Sequence, residues 1–385
     1  MYYTENNHKD YSALALRDVV EVPHLAESNN STYAVGTLTN YKRVVDKDEV
    51  QEFQERHKIV HYGLSKYDLE TTQEKLKKQK HFLEYSFLYD RINQTRIPLA
   101  DIMISANHSP NRYYSEIQNR VNTLTTLAKQ RELKPLFMTI TLPSEYHKFK
   151  TLHRRGVKDK LVANSKYNST TPKDAVKELT KMFARLRQDR SLKDGLFKEN
   201  RIYFRVNEPH KDGTPHTHIL MFVPEDRVER VKKAFYRLFD NRGNDIQSDI
   251  ENATSYVMKY INKTLPLSKS ENLSEKDKYL NAWYSKNRVI RFNSSKTLAP
   301  LTIYRLLHKR YSLYALTKLI AEEHFKIHVT FDTNKIMEII DEWGETVYER
   351  GSNFDVVKAG SPFRGNYLKN NSQTSDSAIG VSVCM

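Results

Sequence analysis

Two tyrosines one helical turn apart, in Tyr256-Val257-Met258-Lys259-Tyr260, lie downstream of the run Glu208-Pro209-His210-Lys211-Asp212-Gly213-Thr214-Pro215-His216-Thr217-His218. A phenol is a poor nucleophile while its pKa stays near ~10. Tyrosine chemistry on phosphate therefore needs a Lewis acid close by. Side chains two apart on a strand point to one face, so His216 and His218 can offer two imidazoles to one ion while Thr217 faces away. Glu208, returned by a hairpin, adds a carboxylate and leaves positions open for a phosphate oxygen and water. His210 is a rival third ligand. Glu208 is preferred because a carboxylate keeps the site hard enough for Mg or Mn, without excluding Zn. A metallo-β-lactamase pattern fails, because Leu220 and Met221 stand where Asp and His are required.

The elements that must carry these groups are legible in the hydrophobic pattern. Leu136 to Leu142 alternates apolar with polar positions and is stopped by Pro143, which predicts a strand. Arg201 to Asn207 alternates as well, and Ile219 to Val223 is a short apolar run. The Asp212-Gly213 turn signal between them predicts an antiparallel hairpin. Thr171, Pro172 and Asp174 open a helix whose apolar stripe is Val176, Leu179, Phe183 and Leu186. Pro224 to Asp226 starts another, with Val228, Val231, Phe235 and Leu238 as its core face. Ser248 with Glu251 reads as a capping box for a helix running to about Lys263. At about 100° per residue, Ile250, Ala253, Val257 and Ile261 form its docking stripe. Tyr256, Lys259, Tyr260 and Lys263 fall on an adjoining face. Lys259 is placed to hold a phosphate or offset transition-state charge. The alternative is that both tyrosines are amphipathic core-edge aromatics.

The chain has 385 residues, with 62 Lys plus Arg against 47 Asp plus Glu and a formal net charge of +15. That balance favours a polyanionic partner such as nucleic acid. The single cysteine, Cys384, excludes an intrachain disulfide and a Cys-rich zinc site, and fits a reducing cytoplasm. No signal sequence is read at Met1 to His8, and no apolar run approaches the ~20 residues of a membrane span. No Gly-rich phosphate loop ends in Lys-Ser or Lys-Thr.

Residues 1–131 are polar, with patchy helical stretches such as Lys66 to Tyr89 and no chemical motif. His147 to Thr171 reads as an exposed basic loop carrying Lys148, Lys150, Arg154, Arg155, Lys158 and Lys160. Pro300 to Glu323 reads as helical, and Lys369 onward as a disordered tail. The division expected is 1–131 as an N-terminal region, 132–265 as the catalytic domain, 266–368 as a mostly helical C-terminal region and 369–385 as the tail.

Four stretches carry a family resemblance. Phe137 to His147, Asp212 to His218 and Tyr256 to Lys263 are similar, in content and order, to the three motifs of the HUH endonucleases. Within that group they resemble the gene A type replication initiators of single-stranded DNA phages. Weaker echoes at Asn164 to Tyr167 and at Trp283-Tyr284 through Phe292 form the fourth. The resemblance covers roughly 135 to 320 and departs at Thr217, where the family usually carries a bulkier apolar residue. It implies an α+β fold, a central antiparallel sheet carrying the metal ligands with the tyrosine helix packed across it. It also implies rolling-circle initiation. One tyrosine attacks a scissile origin phosphate, a 5′-phosphotyrosine forms, and a 3′-hydroxyl is freed for the host polymerase. The second tyrosine cuts the regenerated origin so that the ends can be rejoined. Helicase and single-stranded DNA-binding protein would come from the host, and Arg154, Arg155 and Lys263 are candidates for tracking the strand. Residues 1–131 are then a candidate for origin recognition. A relaxase or transposase would use the same chemistry, and a basic DNA-binding regulator without catalysis is the alternative from another class.

Overall fold

The computed structural model describes residues 47–90, 94–154, 157–193, 202–239, 243–268, 272–329, 336–350 and 354–358. The chain divides into two compact units at Lys58. In the first, the described helix is α1 (Lys47–His57). The second begins with a tight hairpin, β1 (Ile59–His61) and β2 (Leu64–Ser65), and runs into α2 (Lys66–Glu84). Ser65 and Asp68 close a capping box on α2. Next come β3 (Ser86–Asp90), β4 (Thr95–Pro98), α3 (Leu99–Ile102) and α4 (Pro110–Gln130).

The central sheet is assembled from β5 (Lys134–Ile140), β8 (Ile202–Pro209), β9 (Pro215–Val223), β10 (Asp245–Gln247) and β11 (Phe292–Ser294). Its order is β10-β5-β9-β8-β11, and every neighbouring pair is antiparallel. Between β5 and β8 lie β6 (Phe149–Arg154), β7 (Val157–Ala163) and α5 (Pro172–Gln188). Between β9 and β10 lies α6 (Val228–Leu238), and α7 (Ala253–Thr264) and α8 (Glu275–Asn287) precede β11.

Alternation along the strands sorts the side chains into two cores. Leu136, Met138, Ile140, Ile219 and Met221 pack beneath α5 and α6 with Leu179, Phe183, Val231 and Phe235. Phe137, Phe204, Val206 and Leu220 face the other way, against Val121 and Leu124 of α4 and Val257 and Ile261 of α7. The fold is α+β, as the sequence implied, with helices on both faces of an antiparallel sheet. The core that includes residues 132–265 also draws on α4 before it and β11 after it.

Three local expectations change. The basic stretch after His147 is no loop: β6 and β7 pair with each other as a separate hairpin. The strand-favouring residue types at Phe149, Thr151, Val157 and Val162 outweigh the charged composition around them. The tyrosine helix starts later than the Ser248 capping box predicts, because Asn252 accepts a bond from the Ser255 amide and becomes the N-cap. Beyond α9 (Leu301–Leu307) and α10 (Leu313–Ala321), the C-terminal region is less helical than expected. β12 (Lys326–Val329), β13 (Ile336–Ile340) and β14 (Thr346–Glu349) form a meander. β15 (Phe354–Lys358) pairs with β3. Ile327 pairs with Ile339 and Ile339 with Tyr348, so these three share one face of the meander, and they pack in one cluster with Leu313 and Leu316. The expected tail from Lys369 lies outside the described residues.

One contact holds the early hairpin to the site. Gly63 and Gly213 meet back to back: a Cβ on Gly63 would lie 2.6 Å from the Asp212 carbonyl, and one on Gly213 would lie 2.4 Å from that of Tyr62. Both have positive φ, 69° and 89°. Gly213→Ala is therefore expected to cost about 3 kcal/mol or more, from strain plus collision. Gly344→Ala, at φ 84° with nothing within 4 Å, is expected to cost only about 1–2 kcal/mol. Denaturant unfolding of the two variants checks the contrast.

Candidate metal and tyrosine site

Cross-strand register brings the metal candidates together. Glu208 on β8 is directly opposite His216 on β9, and His218 is opposite both Val206 and, on β5, Thr139. Glu208, His216 and His218 are 1%, 8% and 6% exposed, and one potential ligand atom from each lies within 4.8 Å of the others. The two Nε2 atoms are 3.0 Å apart. They stand 3.9 and 3.8 Å from Glu208 Oε2. The second carboxylate oxygen, Oε1, is buried without a partner. Three buried donors converging in this way, one with an unsatisfied lone-pair oxygen, suit a divalent cation.

His218 Nδ1 is 3.0 Å from Thr139 Oγ1, which leaves Nε2 for the ligand position. His210 does not join the triangle. Its ring stacks on His216 at 4.1 Å, and its buried Nε2 has no partner. The hairpin loop is braced from outside. Asp212 accepts from Thr214 and from His147 Nδ1, the latter at 2.9 Å. Trp283 Nε1 donates to the Gly213 carbonyl at 3.0 Å and the Tyr284 hydroxyl to that of Asn207 at 2.5 Å. Thr217 is fully buried on the opposite face, and its hydroxyl donates to the Val206 carbonyl.

Helix α7 presents the tyrosines over this triangle because Ala253, Val257 and Ile261 are buried against the sheet. The Tyr260 ring lies on His218, with centroids 4.0 Å apart, and on Phe137 at 5.0 Å. Tyr256 meets the edge of Phe137 at 4.5 Å, and its hydroxyl donates to Gln247 at 3.0 Å. Lys263 reaches Glu208 Oε2 at 2.5 Å. Lys259 is exposed and makes no ion pair among the described residues. The side chain of Arg154, and Arg155 entirely, lie outside the described residues. Thr139 and Phe137 lie in the first resembling stretch, but their contacts with His218, Tyr256 and Tyr260 are not read there because those partners are distant along the chain, and Gln247 carries no sequence signal. The strand pattern bears on Thr139 by setting it on the face opposite to Met138 and Ile140.

Burial dominates the electrostatics. It pushes His218 down to about 3, with repulsion from Lys263 and His210 adding to the effect. It also holds His216 well below the usual histidine range, again with His210 and His218 contributing. Burial raises Glu208, against the opposing pull of Lys263. Tyr260 is pushed up to about 12 by burial, then by Tyr256 and Glu208. Both histidines are thus neutral at pH 7, with lone pairs available. Tyr260 is protonated at pH 7, and a cation nearby would lower the cost of its phenolate.

A family model described as bacteriophage replication gene A protein (GPA) matches residues 47–267. The chain belongs to the bacteriophage replication gene A protein family. The match takes in β5, the metal hairpin and the whole of α7. Among curated relatives of this gene A family member, the replication gene A protein of Escherichia phage 186 is 28% identical over 263 residues, covering 61% of this chain and 36% of the relative. A probable replication endonuclease from a Salmonella typhi prophage-like region is 30% identical over 250 residues, covering 58% and 29%. The replication protein of Haemophilus phage HP1 is 27% identical over 188 residues, covering 45% and 22%. This gene A family chain matches about a third or less of the length of these relatives. No solved structure matches it. Among the described residues, no helix is long and apolar enough to cross a membrane.

The unfolded chain protonates its histidines near ~6.5, well above the folded value for His218. From pH 6.5 down towards 3 the unfolded state therefore binds more protons, so stability is complete above this window and is lost as pH falls through it. Glu208, raised by burial, acts in the opposite sense over the interval from its ordinary carboxylate value upwards. The thermal midpoint of chelator-treated protein is expected to drop as pH falls from 6.5 to 4, and His218→Gln should flatten that drop.

Proposed function

We propose that this chain is a rolling-circle replication initiator, a metal-dependent endonuclease that nicks single-stranded origin DNA through a tyrosine and rejoins ends by strand transfer. The observation that carries the reading is the contact of Tyr260 with His218, their ring centroids 4.0 Å apart at a tilt of 38°, which sets a candidate nucleophile against a member of the buried Glu-His-His triangle. Family membership supports it, as does the name replication endonuclease borne by several relatives.

Glu208, His216 and His218 would hold a divalent cation, Mg or Mn. When bound, it would supply Lewis-acid polarisation of a non-bridging phosphate oxygen and favour the phenolate. The Tyr260 oxygen, its proton passed to solvent, attacks phosphorus. The bond to the 3′-oxygen breaks, that oxygen leaves with the electron pair and takes up a proton, and the 5′-phosphate remains on tyrosine. The count of phosphoester bonds is unchanged, so no nucleotide hydrolysis is required. Thr139 keeps His218 in the ligating tautomer. Lys263, mostly exposed beside Glu208, and Lys259, free on the helix surface, are positioned to meet the phosphate backbone. Tyr256, held by Gln247, is the reserve nucleophile for the second cut. The released 3′-hydroxyl then attacks the first phosphotyrosine, displaces the phenol and joins the strand.

The partners implied are origin DNA, single-stranded at the nick, together with the host polymerase, helicase and single-stranded DNA-binding protein in the bacterial cytoplasm. Residues 1–131 are assigned to origin recognition. Deletion of residues 1–58, the first compact unit, which leaves α4 and the β1–β2 hairpin in place, is expected to weaken the preference for origin over scrambled DNA.

Adduct mapping on single-stranded replicon DNA with Mn tests the chemistry. Tyr260→Phe is expected to slow the first adduct about 100-fold or more, since the remaining hydroxyl is engaged by Gln247. Tyr256→Phe should spare the first cut and block the second, and the double variant should form no adduct. Absence of any adduct from the unaltered protein, across metals and strands, would instead favour the non-catalytic regulator. Thr139→Val is expected to raise the Mn dissociation constant about 10- to 100-fold, checked by calorimetry.

A further inference from the structure

Beside the Glu208-His216-His218 triangle lies a cavity of about 670 Å³ whose lining includes Phe149, Lys150, Lys166, His210, Lys211 and Asp212. That volume lies within the ~300–1,000 Å³ range of small-ligand sites. Its wall is built from two chain segments locked together. Asn164 Nδ2 donates to the carbonyls of Ser144 and His147 at 2.7 and 2.8 Å. Its Oδ1 accepts from the Lys166 amide, and its own amide donates to the Lys148 carbonyl.

The charges of the lining are unbalanced in one direction. The single carboxylate, Asp212, is saturated by His147 and Thr214. Lys150, Lys166 and Lys211 have no ion-pair partner among the described residues. The hydroxyls of Ser144 and Ser165 make no hydrogen bond there either. Phe149 contributes an aromatic ring with Lys148 5.6 Å from its centroid. An anion alone would use the lysines but not the ring. A phosphate joined to a flat base uses both.

Resting on the nicking reading above, we propose that this cavity receives one nucleotide of the cleaved strand, adjacent to the scissile phosphate. Its phosphate lies on Lys150, Lys166 and Lys211 and its base against Phe149. His210 fixes the adjacency, because it both lines the cavity and stacks on His216. A strand with one phosphate at the triangle thus has its neighbour a single side chain away. The metal hairpin then serves both events, holding the ligands on its strands and one wall of the nucleotide cavity on its loop.

The test is anisotropy of a labelled single-stranded oligonucleotide titrated with the full chain carrying Tyr256→Phe and Tyr260→Phe, so that cleavage plays no part. Adding Lys150→Ala, Lys166→Ala and Lys211→Ala together is expected to weaken binding about 10-fold or more, and to reduce the salt slope by ~0.7 for each phosphate left without its lysine. Phe149→Leu, which keeps an apolar side chain, should weaken binding about 5-fold or more. It should lose that effect on strands with an abasic site at one position. Thymidine monophosphate should compete better than inorganic phosphate. Unchanged affinity and slope in the lysine variant overturn the proposal. So does lysine dependence with a silent Phe149→Leu and equal competition by phosphate, which would make the cavity a phosphate site only. Adduct formation by the unaltered chain, run in parallel, separates the two readings. Adducts without any cavity effect sink the cavity alone, whereas cavity-dependent binding without adducts sinks the nicking chemistry alone.

Discussion

The site depends on one register, the pairing of Glu208 with His216 across β8 and β9. A shift of a single residue would turn His216 and His218 to the α5 face and Thr217 to the metal face, destroying the triangle at a stroke. The register is secured on every side. β9 is central, paired along its length with β5 and β8. The loop between the ligand strands is pinned by Trp283, by the His147–Asp212 pair and by the close approach of Tyr62-Gly63. Residues far apart in sequence therefore converge on the same few backbone atoms of one hairpin.

Burial against the sheet then sets the chemistry. The apolar stripe of α7 drives the helix onto Phe137, Val206 and Leu220, at about 25 cal/mol for each Å² of apolar surface removed from water. Docking in that orientation places Tyr260 on His218 and Lys263 on Glu208. The same dryness keeps both histidines neutral and makes the Tyr260 phenolate costly. The neutral histidines and the protonated Tyr260 thus have one cause, and on the proposed reading a cation in the triangle would answer both.

Most of the site is legible in the sequence because its signals are local. The His-x-His spacing, the Asp-Gly turn and the period of Val257 and Ile261 each report a strand face, a hairpin or a helix stripe from a few neighbouring residues. The N-cap of α5 at Thr171 and the end of β5 near Pro143 are readable for the same reason. What is not legible is long-range. Thr139 and Phe137 gain their roles only when β5 lies beside β9. The clamp from α8 to the hairpin loop spans 70 residues between Trp283 and Gly213. The β6–β7 hairpin is hidden because its charges obscure its strand-favouring residues. The start of α7 is ambiguous because two cap sequences compete there, and Asn252 takes the cap by accepting from the Ser255 amide.

The most direct test of the central claim is electron–nuclear double resonance on Mn(II) bound to the full chain, read alongside adduct formation. The account predicts nitrogen couplings from two imidazoles. One should be lost in His216→Gln and one in His218→Gln, with the tyrosine adduct falling in step. Mn bound without nitrogen coupling, while DNA is still nicked, would show that the chemistry is carried elsewhere and would contradict the account.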